Sequence, residues 1–255
     1  MGKAAYMKIS FTNGTKDEVG NGSRGCREAF LQLLFPRRCP VCDGIVSPAG
    51  EKICLECIGR LSLITPPWCM RCGRKLEEDG EYCVKCRNGD HTCVRGRALY
   101  HYSSAAEAIY RFKYGGRREY AEYFGEQMAE LLGDFITQVA PDALIPIPLH
   151  RARKRRRGYN QAELLARQIG KSTGIPVRAG LLLRVRNTRP LKSLNPAERQ
   201  NNLKKAFKVA QNDVKLKKLI LIDDIYTTGS TMEEAARTLK EAGAEEIYFL
   251  ALASG

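Results

Sequence analysis

Eight cysteines in the N-terminal third of the chain have the spacing that most directly predicts chemistry. They form four Cys-x-x-Cys pairs: Cys39/Cys42, Cys54/Cys57, Cys69/Cys72 and Cys83/Cys86. A gap of two residues lets both thiolates of a pair face one metal ion, and two pairs complete a tetrahedral zinc site. Because four thiolates leave no open coordination position, we expect two structural Zn²⁺ ions and no catalytic zinc.

The four pairs can bind two metals in two ways, either as consecutive ribbons or as a cross-brace of alternate pairs. A glycine follows the second thiolate of the first and third pairs, at Gly44 and Gly73. Such a glycine permits the positive φ of a zinc knuckle, and this alternation favours two ribbons in series. The segment is short and polar, so we expect the metal to supply its stability.

A second group of chemically capable residues lies near the C-terminus. Asp223 and Asp224 follow the apolar run 219–222, and a hydroxyl-rich turn comes next. Two adjacent carboxylates can accept hydrogen bonds from a ribose diol. The turn can surround a phosphate with N–H groups and hydroxyls at a helix N-terminus. Its residues are Thr227, Thr228, Gly229, Ser230 and Thr231. The alternative is a capped helix that binds no ligand.

Strands and helices alternate in the part of the chain that must position these residues. The apolar runs 143–145, 219–222 and 247–250 are typical of strands in a parallel sheet that is covered on both faces. Residues 161–169 and 231–242 have helical apolar spacing. This order predicts an α/β fold with ligands at the carboxyl ends of the strands.

The positive charge of the chain is concentrated in one segment. The whole chain carries +14, whereas residues 143–218 alone hold twenty Lys or Arg and three Asp or Glu, a net +17. This concentration predicts a basic face over phosphates, with an ordinary solvated basic surface as the alternative. No run of 18 apolar residues occurs, so we expect no transmembrane segment. Without a secretion signal, a reducing cytoplasmic location and zinc are favoured over disulfides.

The strand, the acid pair and the Thr-Thr-Gly turn resemble the phosphoribosyl pyrophosphate motif of type I phosphoribosyltransferases. Further stretches strengthen this likeness: Phe112–Gly115, Pro146–His150 with the following Arg151–Arg157, Gly158–Gln161, and Arg199–Phe207. Together with the cysteine pairs they resemble the ComF family of competence proteins over roughly residues 33–255. One departure is Leu191, where many relatives have Gln.

The resemblance implies a type I phosphoribosyltransferase-like parallel sheet with flanking helices, preceded by a small Cys-rich double zinc ribbon. We accordingly expect a loosely ordered tail over residues 1–32, the ribbons over 33–95 and the phosphoribosyltransferase-type domain over 96–255. It further implies that Asp223 and Asp224 bind the ribose hydroxyls and that the turn binds the 5′-phosphate. We expect Lys113 and Arg157 near the departing pyrophosphate, with Mg²⁺ assisting.

The family's setting is natural transformation, in which external single-stranded DNA is handled alongside a DNA-translocating helicase. Three functions stay open at this point. The chain could handle single-stranded DNA and bind phosphoribosyl pyrophosphate or a nucleoside 5′-monophosphate. It could be an active phosphoribosyltransferase with an unknown base acceptor, or a scaffold with a vestigial pocket. Tyr114 and Tyr159 lie near arginines and could stack on bases or simply pack.

Overall fold

The computed structural model describes residues 36–78, 80–89, 91–186, 205–210 and 216–255. The tail expected over residues 1–32 lies outside the described residues. The departure at Leu191 and the stretch Arg199–Asn202 also lie outside them.

The described part of the chain contains seven α-helices and six strands, among them the three strands and two helices that the apolar spacing predicts. The helices are α1 (Val84–Arg87), α2 (Tyr102–Tyr114), α3 (Tyr120–Leu131), α4 (Gly133–Val139), α5 (Arg151–Arg157), α6 (Gln161–Thr173) and α7 (Ser230–Glu241). The strands are β1 (Gly96–His101), β2 (Ala143–Pro146), β3 (Leu182–Arg184), β4 (Phe207–Val209), β5 (Lys218–Tyr226) and β6 (Glu246–Ser254).

Four of these strands form one parallel sheet in the order β1-β6-β5-β2. The three apolar runs that predicted strands lie in β2, β5 and β6, so the parallel α/β sheet is confirmed. Strands β3 and β4 pair separately and antiparallel. No helix in the described ranges has the length and apolar character that crossing a bilayer requires.

The two faces of the sheet are covered by different elements. Successive side chains of a strand point to opposite faces. Leu219 and Leu221 therefore pack with α7, while Ile220 and Ile222 pack with helices α2, α3 and α6. Because both faces are covered, the ends of the strands are where the sheet stays open to a ligand.

Candidate functional site

Two clusters of four cysteine side chains form within the described residues. Cys39, Cys42, Cys54 and Cys57 make one cluster, and Cys69, Cys72, Cys83 and Cys86 make the other. In each cluster the sulfur atoms lie within 4.8 Å of one another. The Cys42–Cys54 and Cys72–Cys83 sulfurs are 3.9 and 3.8 Å apart. A tetrahedral site with Zn–S bonds of about 2.3 Å has edges of about 3.8 Å, so both donor sets fit structural zinc. The prediction of ribbons in series is confirmed.

The knuckle turns supply backbone N–H groups to the thiolates. Burial raises the pKa of the Cys39 thiol, but backbone N–H groups, among them that of Val41, lower it to about 7 overall. The residue with a left-handed backbone conformation is Asp43 in the first knuckle, with φ 59°, and Gly73 in the second, with φ 69°. The prediction of positive φ at Gly44 is therefore wrong. The bend falls directly after the second cysteine, where Asp tolerates this conformation.

A cavity of about 290 Å³ lies at the carboxyl ends of β2 and β5, beside the N-terminus of α7. Its apolar side is formed by Ile147 and Leu149, which follow β2. Its other sides carry carboxylates, hydroxyls and guanidinium groups. The carboxyl ends of the strands are where the predicted parallel sheet would bind a ligand.

The acid pair contributes two different carboxylates to this cavity. Asp224 is buried, and its Oδ1 forms an ion pair with Lys113 Nζ at 2.7 Å. Burial, together with the neighbouring Asp224 charge, raises the pKa of Asp223 to about 7. Lys113 thus lies at the acid pair, and the cavity holds one ion-paired carboxylate beside one whose pKa is raised.

The hydroxyl-rich turn ends β5 and begins α7. Gly229 precedes the helix with φ 82°, and a Cβ atom there would come within 2.6 Å of the Tyr226 hydroxyl oxygen. Glycine is therefore required at this position. Thr227 and Thr231 line the cavity, while the hydroxyl oxygens of Thr228 and Ser230 lie 2.9 Å apart. Free N–H groups at a helix N-terminus suit a phosphate, so this end of the cavity favours an anion.

An arginine of the second ribbon contacts the same turn. Arg74 Nη2 donates a hydrogen bond to the backbone oxygen of Thr227 at 2.6 Å. The preceding Tyr226 stacks on Phe249 of β6, with ring centroids 4.6 Å apart and planes inclined by 9°. Sequence reasoning missed Arg74, because a contact between residues 153 positions apart has no local signal.

Helix α5 presents its cations on two faces. Arg153 and Arg157, one turn apart, line the cavity, whereas Arg155 and Arg156 are exposed. Arg184 of β3, which the sequence did not single out, also lines the cavity. Burial and the nearby Arg153 charge lower the pKa of Arg184 to about 10. Because these cations lie close together and repel one another, the cavity favours a bound anion.

Three side chains of the Gly158–Gln161 stretch form hydrogen bonds with the backbone next to the cavity. Tyr159 Oη and Gln161 Nε2 donate hydrogen bonds to the backbone oxygen of Phe112 at 2.5 and 3.1 Å. Asn160 Nδ2 donates to the backbone oxygen of Ile147 at 3.0 Å. The suggestion that Tyr159 stacks on bases is wrong, because its ring is buried and its hydroxyl fixes the residue before Lys113.

Comparison with protein-family models matches two segments of the chain. Residues 30–87 match the double zinc ribbon domain, and residues 124–255 match the phosphoribosyl transferase domain. The first segment contains both cysteine clusters, and the second contains the acid pair and the hydroxyl-rich turn.

Curated relatives match most of the chain. It is 31% identical to competence protein F of Haemophilus influenzae over 233 residues, covering 88% of this chain and 99% of that protein. It is 33% identical to competence protein ComFC of Bacillus subtilis over 211 residues, covering 76% and 80%. It is 27% identical to the DNA utilization protein YhgH of Shigella flexneri over 219 residues, covering 84% and 96%.

Proposed function

The chain belongs to the ComF family of competence proteins, and on that premise we propose that it acts in DNA uptake, where it binds single-stranded DNA. We further propose that its cavity binds phosphoribosyl pyrophosphate or a nucleoside 5′-monophosphate. The names of the relatives support the first part, and the chemistry of the cavity supports the second. A DNA-translocating helicase as partner stays a prediction from the family resemblance.

The division of α5 into two cationic faces carries the proposal. The inner arginines line a cavity that also offers carboxylates, whereas the outer ones face solvent. An internal nucleotide of a strand has its 3′ oxygen esterified and lacks the free diol that the acid pair would bind. A strand therefore fits the outer face, and a small ligand with a free ribose diol fits the cavity.

The acid pair, the hydroxyl-rich turn and the inner arginines of α5 have separate roles in the proposed small-ligand complex. Asp223 and Asp224 accept hydrogen bonds from the ribose hydroxyls, and the turn 227–231 binds the 5′-phosphate. Arg153 and Arg157 line the same cavity and would offset the charge of a bound pyrophosphate. Mg²⁺ prefers carboxylate and phosphate oxygens, and it would neutralise further charge on the bound pyrophosphate.

Two double variants of α5 test the proposal. For Arg155→Ala with Arg156→Ala, we expect weaker binding of oligothymidylate. The slope of log affinity against log salt should become shallower by up to about 1.4, since each phosphate contact on a single strand contributes about 0.7. Affinity for phosphoribosyl pyrophosphate with Mg²⁺ should not change. For Arg153→Ala with Arg157→Ala, we expect the phosphoribosyl pyrophosphate affinity to fall.

Fluorescence anisotropy and titration calorimetry on the same preparations supply the two affinities. If the unmodified protein does not bind oligothymidylate at low salt, the DNA part of the proposal is wrong. If it gives neither heat nor a thermal shift with phosphoribosyl pyrophosphate or a nucleoside 5′-monophosphate, the cavity part is wrong. Equal effects of both double variants on both ligands would contradict the division of α5.

An active phosphoribosyltransferase is a second candidate function. It is favoured by the Lys113–Asp224 ion pair, which lies in the same cavity as the arginines Arg153, Arg157 and Arg184. Transfer passes through an oxocarbenium-like state, which neighbouring carboxylates stabilise. A transferase would release pyrophosphate from phosphoribosyl pyrophosphate only when its base acceptor is present. Pyrophosphate release that no purine or pyrimidine base stimulates, in a protein that still binds the donor, would argue for binding alone.

A further inference from the structure

Two neighbouring tyrosine rings at the end of α2 are exposed to solvent. Tyr110 and Tyr114 lie one turn apart, with 65% and 57% of their surfaces exposed. Their ring centroids are 5.1 Å apart and their planes are inclined by 49°. Contiguous exposed apolar surface marks interaction sites more often than scattered single residues do.

An arginine of α5 borders this pair of rings, and a second arginine ties the end of α2 to the end of α5. The Arg157 guanidinium lies 4.9 Å from the centroid of the Tyr114 ring. Arg118, just beyond the end of α2, is exposed and donates a hydrogen bond to the backbone oxygen of Gly158, at the end of α5. The aromatic surface is thus joined to the basic helix, and its charge is complementary to phosphates.

We infer that Tyr110 and Tyr114 form a stacking platform for the bases of single-stranded DNA, beside Arg157 of α5. This inference rests on the proposed binding of single-stranded DNA. Exposed aromatic rings beside a cationic groove bind single strands because every base offers a flat π-face. The bases of a duplex are paired and stacked, so their faces are not accessible to these rings.

The alternative occupant is the base of a mononucleotide bound in the cavity. Tyr114 lines the cavity, but Tyr110 lies one helical turn away and is not among the residues that line it. A single base in the cavity leaves Tyr110 without a partner, whereas successive bases of a strand cover both rings. Tyr110 therefore distinguishes the two occupants.

The test compares Tyr110→Ala and Tyr110→Phe with the unmodified protein. Tyr82 of the second ribbon is also exposed and has an arginine, Arg71, 5.6 Å above its ring, so Tyr82→Ala is the matched control. Anisotropy is measured with oligothymidylate and with an abasic strand of the same length. Loss of one stacked base weakens binding roughly 5- to 150-fold.

We expect Tyr110→Ala to weaken oligothymidylate binding by at least roughly 5-fold without changing the salt slope, because phosphate contacts remain. Tyr110→Phe and Tyr82→Ala should bind as the unmodified protein does. The abasic strand should not distinguish Tyr110→Ala from the unmodified protein. Affinity for phosphoribosyl pyrophosphate should stay the same in all variants.

Three results would overturn the platform. The Tyr110→Ala variant could bind oligothymidylate normally. Its affinity for the abasic strand, or its affinity for phosphoribosyl pyrophosphate, could instead fall as much as its affinity for oligothymidylate. In each case an unmodified protein that binds oligothymidylate keeps the proposed function intact. If the unmodified protein does not bind oligothymidylate at low salt, both the DNA function and the platform are wrong.

Discussion

The two zinc ribbons have the same local turn but very different anchorage. In each, the first cysteine N–H donates a 2.8 Å hydrogen bond to a backbone oxygen five residues later, that of Gly44 or Arg74. The first ribbon has its own small apolar cluster, which includes Cys39 and Val46. The cysteines Cys69, Cys72 and Cys86 of the second ribbon belong to the cluster that also contains β5 and β6 residues of the sheet.

One position of the turn explains much of this difference. Asp43 of the first ribbon accepts a hydrogen bond from Tyr120 Oη at 2.6 Å and pairs with Arg117 Nε at 2.8 Å. At the equivalent Gly73, an added Cβ would lie 2.7 Å from the backbone oxygen of Gly96. The first ribbon is held by a polar side chain, whereas the second is held by direct backbone approach and shared apolar packing.

Two zinc ribbons with the same cysteine spacing can therefore differ in how they join the rest of the protein. One is attached to the surface of the sheet domain, and the other is part of its core. The second ribbon also reaches the phosphate-binding turn through Arg74. The first ribbon contacts the opposite side of the sheet, where Arg37 and Lys52 pair with Glu122 and Lys52 also pairs with Glu126. Loss of each ribbon should therefore have different consequences.

Removal of one thiolate from each ribbon gives the largest expected contrast. We expect Cys72→Ser to lower the free energy of unfolding by about 4 kcal/mol and to abolish binding of a nucleoside 5′-monophosphate, since the second cluster lies in the shared core. Cys42→Ser should release the first zinc yet leave the sheet folded and the ligand affinity within about 3-fold, a change of roughly 0.6 kcal/mol. Metal analysis, urea unfolding and calorimetry measure these effects.

If the two cysteine variants lose the same amount of stability and of ligand affinity, the distinction between an attached and an integrated ribbon is wrong. Metal analysis should give one zinc for each variant and two for the unmodified protein. A Cys72→Ser protein that holds two zinc ions and binds the ligand normally would be the clearest contradiction.

A smaller effect is expected when one anchoring side chain of each ribbon is removed. Arg74→Ala should weaken nucleoside 5′-monophosphate binding about 5-fold, which corresponds to about 1 kcal/mol for a partly exposed hydrogen bond that positions the turn. Asp43→Ala should lower the free energy of unfolding by about 1–2 kcal/mol because Tyr120 and Arg117 lose their partner, and the ligand affinity should not change. Thermal unfolding and calorimetry on both variants supply the comparison.

If Arg74→Ala lowers the free energy of unfolding without changing the ligand affinity, Arg74 stabilises the fold and does not position the turn for the ligand. Arg74→Lys tests the same point, since a single amine replaces the guanidinium and should restore only part of the affinity.

The smallest expected effect is a pH dependence that belongs to the cavity and to neither ribbon. The raised pKa of Asp223, about 7, means that its proton leaves as the pH passes through neutrality. An ionised carboxylate accepts ribose hydroxyls better, so affinity should rise a few-fold between about pH 6 and pH 8. Its contribution to stability has the opposite sign, because a folded pKa above the unfolded value makes stability fall as the pH rises through this interval.

A 2′,3′-dideoxynucleotide controls for the titration of the phosphate, since it keeps the phosphate and lacks both hydroxyls. Calorimetry should show a flatter pH dependence for this analogue and for the Asp223→Asn variant. A pH dependence that is the same with and without the hydroxyls would assign it to the phosphate alone.

The contiguous motifs were predictable from the sequence. The eight cysteine ligands and their series pairing follow from spacing, and the acid pair with the turn after it lies at the predicted strand end. The errors concern single side chains whose surroundings come from elsewhere in the chain. Tyr159 is buried against α2, and the positive φ of the first knuckle lies at Asp43.

The sequence by itself determined the parallel sheet, two zinc sites and the loop suited to a phosphate, because each is built from neighbouring residues or from the periodicity of one element. Only the tertiary structure decided that α5 divides its arginines between cavity and solvent and that Arg184 joins the inner face. It also decided that Arg74 reaches Thr227. These contacts join residues far apart in the chain, and their partners depend on how packed elements meet.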